Sequence, residues 1–172
     1  YGDFEAVKGI SFEVSDGEVL GIIGPNGAGK TSTLKMVSGL IEPSEGSGTV
    51  SGKNISDPEM RSSLGFLPEE SPAYDAMTAR SYLRFFGDLY DVPSDKTNER
   101  IDSTLDDLEL EYRDRKIGDL SKGMTRKVLI ARSLINDLDV LVYDEPASGL
   151  DPYTTNYIVD YIDKLADRGK YV

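Results

Sequence analysis

The stretch Gly24-Pro25-Asn26-Gly27-Ala28-Gly29-Lys30-Thr31 has the form G-x-x-x-x-G-K-[ST] and decides the reading of the whole chain. Glycines at 24, 27 and 29 permit backbone turns that a Cβ would obstruct, so consecutive N–H groups can converge on an anion. Lys30 would set an ammonium against the β- and γ-phosphates of a nucleotide, and the Thr31 hydroxyl would ligate Mg2+. The helix that begins here adds its dipole and its first amides. The flanks agree. Val19-Leu20-Gly21-Ile22-Ile23 reads as a buried strand and Ser32-Thr33-Leu34-Lys35-Met36-Val37 as a helix. Strand, loop and helix in that order are the setting the pattern requires.

At 172 residues with 38% hydrophobic content, the chain fits one globular domain, or one domain carrying a small subdomain. No apolar stretch approaches the ~20 residues of a membrane span, so no direct membrane insertion is expected. The chain contains no Cys, which excludes disulfides and thiolate metal sites. The formal charge of −12 opposes binding to nucleic acid and attraction to anionic lipid. Asp outnumbers Glu, which would suit a high-salt cytoplasm, although ordinary proteins reach this acidity too. The chain begins at Tyr1 without Met and reads as a piece of something longer.

Residues 1–23 read as β structure. Ile10-Ser11-Phe12-Glu13-Val14 alternates apolar and polar, Ser15-Asp16-Gly17 is a turn, and Glu18 to Ile23 runs into the loop. Gly39 is a plausible stop for the first helix. Glu42 to Gly48 is a loop by composition, Thr49-Val50 a short strand, Asp57 to Ser63 a short helix and Leu64 to Leu67 another strand. Residues 78–135 are mainly helical. Tyr82, Leu83, Phe86 and Leu89 share one face, Ile101, Leu105 and Leu108 form a second stripe, and the acids between them read as a solvated face. Strand chemistry returns at Asp139 to Tyr143. Asp151-Pro152 then opens a helix to about Arg168 that Gly169 ends, and Lys170-Tyr171-Val172 reads as the start of a strand.

That order describes an α/β phosphate-loop nucleotide-binding core with a β-rich start and a helical subdomain at about 70–135 inserted in it. Asp144 and Glu145 close the returning strand, where ligands of open parallel sheets sit. The first acid is suited to hold Mg2+ and the second to polarise an attacking water. Successive strand residues point to opposite sides, so the two should not share one role.

Val142-Tyr143-Asp144-Glu145-Pro146-Ala147-Ser148-Gly149-Leu150-Asp151 resembles the Walker B strand and D-loop of ABC-type ATPases. Leu120-Ser121-Lys122-Gly123-Met124 resembles their signature motif, more often Leu-Ser-Gly-Gly-Gln. The third and fifth residues depart, while Ser121 and Gly123 match. Ser121 reads as an N-cap and Gly123 opens the helix behind it, a second helix start suited to an anion. Phe66-Leu67-Pro68-Glu69 resembles the Q-loop, with Glu69 in place of the usual Gln. A carboxylate there can ligate Mg2+ but cannot donate a hydrogen bond; the alternative is an ordinary loop acid. Tyr1 lies where the family places an aromatic that stacks on adenine, and a frayed first residue is the competing reading.

The resemblance covers essentially the whole chain and implies the ATP-binding subunit of an ABC transporter, export-type from its Lys-Gly-Met signature. It implies ATP and Mg2+ as cofactors. Nucleotide contacts would come from Tyr1, Gly24, Pro25, Asn26, Gly27, Ala28, Gly29, Lys30, Thr31, Ser32, Ser121, Gly123 and Asp151. Metal contacts would come from Thr31, Asp144 and Glu69, with Glu145 and Lys30 as the catalytic pair. Two copies would close head to tail around two ATPs and drive a separate membrane-spanning permease, on the cytoplasmic face of the membrane. The helical subdomain and the Glu69 loop would dock on that permease, with Tyr74 and Met77 adding apolar contacts. The family's switch histidine should follow the strand that begins at Lys170; the chain has no His, consistent with a C-terminal truncation. Alternatives are a soluble ABC-type ATPase acting on ribosomes or DNA, a regulatory module that does not hydrolyse ATP, and a phosphate-loop kinase outside this family. The charge and the lack of a basic arm oppose the first, the Asp144-Glu145 pair the second, and residues 120–124 and 148–151 the third.

Overall fold

A computed structural model describes residue 2 and residues 4–172. Tyr1, expected on adenine, lies outside the described residues. The chain divides into two compact units. The first holds residues 1–66, 138–144 and 162–172, and the second residues 67–137 and 145–161.

In the first unit, helix α1 (Lys30–Val37) follows the glycine-rich loop. Its end is dictated locally. Gly39 takes φ +65° while its N–H bonds Met36 O and the Leu40 N–H bonds Lys35 O, so the last carbonyls are satisfied by a left-handed stop. Strands β1 (Thr49–Val50) and β2 (Lys53–Asn54) form an antiparallel hairpin with Thr49 opposite Asn54 and Val50 opposite Lys53. Its two-residue turn, Ser51-Gly52, has positive φ at both positions, the geometry that matches strand twist. A short 3-10 helix (Pro58–Ser63) follows, capped by the Asp57 carboxylate, which accepts the Glu59 N–H at 2.9 Å. Strand β3 (Leu64–Leu67) neighbours β4 (Val140–Tyr143). Val50, Met60, Leu64 and Val142 form a buried cluster, against which Leu34, Val37, Ile55, Phe66 and Val140 pack. This core holds the second half of α1 and strand β4 on one frame.

Residues 10–23 differ in local detail from the expectation. No described backbone hydrogen bond joins Ile10 to Val14 with another segment, and Ile10 and Phe12 are exposed. Of the run to Ile23, Leu20 N bonds Val172 O at 2.8 Å and Val172 N bonds Glu18 O at 3.1 Å. Ile23 is 97% exposed. An apolar run is buried only where a neighbour covers it, and the described pairing stops at Leu20. On the other edge of β4, Tyr171 pairs in parallel with Val140.

The second unit is built on three packed helices, α2 (Ala79–Leu89), α3 (Ser94–Asp107) and α4 (Lys122–Leu134). Thr78 caps α2 by accepting the Ser81 N–H. Ile101, Leu105 and Leu108 are fully buried, so the second expected stripe faces a core. Of the first, Tyr82 and Leu83 are buried and Phe86 is half-buried, but Leu89, the last residue of α2, is exposed. Helix α5 (Pro152–Asp167) begins behind Asp151, whose carboxylate accepts the Thr154 N–H at 3.0 Å. No described helix is long and apolar enough to cross a membrane.

Candidate active site

The loop from Gly24 to Thr31 owes its path to two left-handed glycines, Gly27 at φ +79° and Gly29 at φ +88°. Gly29 is required twice over. A Cβ there would also stand 2.4 Å from Ala6 O and 3.0 Å from Val7 Cγ2. Gly24, read from sequence as a third turn former, has no such φ; a Cβ on it would instead press the Ala28 methyl at 3.2 Å. Gly29 is also the N-cap of α1, and no side chain caps that helix. The first turn therefore presents its amides and dipole at the loop, the arrangement that receives a phosphate. The Lys30 ammonium donates to Gly24 O at 3.0 Å and Pro25 O at 3.3 Å, which folds it over the loop. Ser32 lies two residues beyond Lys30, in the same helical turn.

Thr31 Oγ1 donates to Asp144 Oδ1 at 3.2 Å, across 113 residues of sequence. Asp144 is 3% exposed and follows β4 directly. The two oxygens fit Mg2+. Neighbouring ligands of an octahedral ion are about 3 Å apart when each sits about 2.1 Å from the metal. Among the described residues no group of three or more His, Cys, Asp or Glu could hold a metal by itself. That suits an ion that takes one or two protein oxygens and completes its shell with phosphates and water.

In the second unit, Ser121 caps α4 by accepting the Met124 N–H at 3.2 Å. Gly123 stands in the first turn of α4, and a Cβ on it would meet Thr154 Cγ2 at 2.9 Å. The start of α5 thus leaves room only for glycine. Asp151 sits in that same corner, and its hydrogen bonds from Thr154 hold its carboxyl below the usual carboxylate value. Glu69 Oε1 accepts from Ser148 Oγ at 3.4 Å. Glu145 adopts φ +46°, a left-handed conformation that residues with a Cβ rarely take.

The sequence reading passed over Arg126. This arginine on α4 is 8% exposed. It donates from Nε to Pro146 O at 2.6 Å, from Nη2 to Glu145 O at 2.8 Å, and from Nη1 to Glu69 O at 3.2 Å and Pro68 O at 3.4 Å. The signal was available. Leu129 and Ile130, three and four residues on, place Arg126 on the apolar face of its helix.

Residues 7–148 match the family described as ABC transporter. The chain is 40% identical to the ABC transporter ATP-binding protein NatA of Bacillus subtilis, over 98% of this chain and 70% of that protein. It is 38% identical to Nod factor export ATP-binding protein I of Cupriavidus metallidurans, over 100% of this chain and 58% of that one. Among solved structures it resembles an ATP-binding cassette seen as a dimer in a post-hydrolysis state bound to ADP and Pi. There the TM-score is 0.82 at 26% identity, with 96% of this chain and 77% of that chain covered. With its phosphate loop, its Asp-Glu strand end and its capped signature helix, the chain belongs to the ABC transporter family, among its ATP-binding subunits.

Proposed function

We propose that this chain binds ATP with Mg2+, hydrolyses it, and powers transport through a separate membrane-spanning permease. The observation that carries this reading is the Thr31–Asp144 hydrogen bond, which puts a hydroxyl and a buried carboxylate at the start of α1, beside the phosphate loop. The loop amides and Lys30 bind and orient the phosphates, and Thr31 and Asp144 would hold the metal. Bound there, Mg2+ would neutralise charge on the phosphate oxygens. Glu145 orients the attacking water and accepts its proton at the carboxylate. In this reading Glu69 would be a further acid for the metal. Ser121 and Gly123 of a second copy cover the phosphates, with Asp151 nearby, in a head-to-tail dimer.

The permease side is the second unit. Tyr74, Phe85, Leu89 and Tyr90 are all exposed there, large apolar side chains suited to a protein partner. The likeness to a Nod factor export protein and the Lys122-Gly123-Met124 signature support the export direction. The working location is the cytoplasmic face of the membrane. Size-exclusion chromatography with light scattering on full-length protein carrying Glu145→Gln tests the assembly. Saturating Mg-ATP should shift it from monomer to dimer, and a monomer under those conditions would count against the closed-dimer reading.

A further inference from the structure

We infer that Arg126 is a positioning residue for Glu145, holding the peptide that carries the candidate base in its left-handed form. The inference rests on the ATPase reading of Glu145 given above. Three observations support it, all within the second unit. Arg126 is a buried cation that donates to four backbone carbonyls, and a carbonyl has no mobile side chain to follow it. Two of those carbonyls belong to Glu145, the left-handed residue itself, and to Pro146, which follows it. Glu145 at φ +46° also precedes a proline, which narrows its backbone options further. Such a conformation persists only where its surroundings fix it. The planar guanidinium fork is shaped to do so, because its donors keep fixed mutual angles.

The same guanidinium also holds Pro68 and Glu69, and Glu69 in turn receives the Ser148 hydroxyl. The Glu145 carbonyl accepts the Ser148 N–H at 3.1 Å as well. Arg126 is thus the hub from which the turn after Asp144 and the Glu69 loop are both pinned to α4. A lysine would keep the charge and lose the fork. A single ammonium cannot span four carbonyls in one plane, so the Glu145 peptide would relax and its carboxylate would shift. A displacement near 1 Å at a reacting group costs on the order of 10²-fold in rate.

The test is Arg126→Lys in the full-length protein, with Arg126→Gln as a second variant should the lysine fold poorly. Two readouts are needed. Hydrogen exchange at the Ser148 amide, which bonds the Glu145 carbonyl, should speed up in the variant. ATP turnover should fall roughly 10- to 100-fold in kcat while KM and ATP affinity stay within about twofold. Unchanged exchange at Ser148 would overturn the assignment whatever the turnover. So would wild-type kcat in the variant, or a parallel loss of affinity and turnover, which marks a merely structural role. A wild-type protein that binds ATP without hydrolysing it, with faster exchange in the variant, would instead overturn the ATPase reading and leave the Arg126 clamp standing. Placing Arg126→Lys in Glu145→Gln should change the residual single-turnover rate by less than about twofold, because the arginine acts through Glu145. A further tenfold fall would show that it acts elsewhere.

Discussion

The Thr31 hydroxyl donates to the Asp144 carboxylate at 3.2 Å and ties the first turn of α1 to the end of β4. Removing that hydroxyl with Thr31→Val keeps the shape and deletes one metal-side oxygen. A hydrogen bond to a charged group contributes about 1.5–3 kcal/mol. The Mg2+ concentration needed for half-maximal ATP binding should therefore rise roughly tenfold or more. Superimposable Mg2+ titrations of the two proteins would remove Thr31 from the metal site.

Lys30 folds over its own loop through the Gly24 and Pro25 carbonyls. Lys30→Ala should cost little stability, since of those bonds one is exposed and the other only part-buried. ATP affinity should fall about tenfold to a hundredfold, the worth of one charge-assisted contact. Titration with a fluorescent ATP analogue reads the change, and a wild-type dissociation constant would contradict the loop assignment.

Much of this site was legible in the sequence because its parts are local. Glycines at 27 and 29, a lysine and a hydroxyl need only a short stretch of chain to declare a loop. The stops at Gly39 and Gly169 are likewise local, each residue taking a positive φ where a helix ends. Strand β1 was read with its observed bounds, but the turn and β2 were missed because Ser51 gives a weaker turn signal than Asn or Asp. The run from Ile10 to Ile23 was misjudged in detail for a different reason. Alternation and apolarity state what a segment would bury, whereas its partners are set by distant residues. The burial of Arg126 could be read from the apolar residues on its helix face, but the main-chain carbonyls it binds carry no sequence signature.

Helices α2 and α3 meet at Gly87, where a Cβ would stand 2.4 Å from Thr97 Cγ2 and 2.7 Å from Thr97 Oγ1. Gly87→Ala should cost about 1–3 kcal/mol through overpacking. In a chain of this size each kcal/mol lowers the melting temperature by about 2–4 °C. Adding Thr97→Ala removes both clashing atoms and should recover part of the loss. Calorimetry on the single and double variants decides it; no recovery would place the strain elsewhere.

Arg80 donates to Asp102 at 2.7 Å, and Arg113 lies 3.6 Å from the same carboxylate. The bond from Arg80 holds the Asp102 carboxyl below its usual value of 3.8. Folding therefore favours the charged form. The pair's contribution is fully present above the unfolded value, near pH 4, and is lost as pH falls through the lower folded value. The Asp102 side chain is half exposed, so the contribution stays within the ~1 kcal/mol typical of surface pairs. Asp102→Asn should be slightly less stable than wild type at pH 7, with the gap closing in acid as the Asp102 carboxyl protonates. A gap that persists undiminished in acid would assign the loss to packing.

The central claim is that Glu145 handles the attacking water while the phosphate loop and Asp144 bind the nucleotide. Phosphate release and ATP affinity, measured side by side on full-length wild type and Glu145→Gln, test it most directly. The amide keeps the shape of the acid and cannot accept the proton. Affinity should stay within about twofold, while turnover should fall by about 10²–10⁴-fold, the range for loss of a positioned general base. Turnover of the Glu145→Gln protein at the wild-type rate, with ATP bound as tightly, would contradict the account.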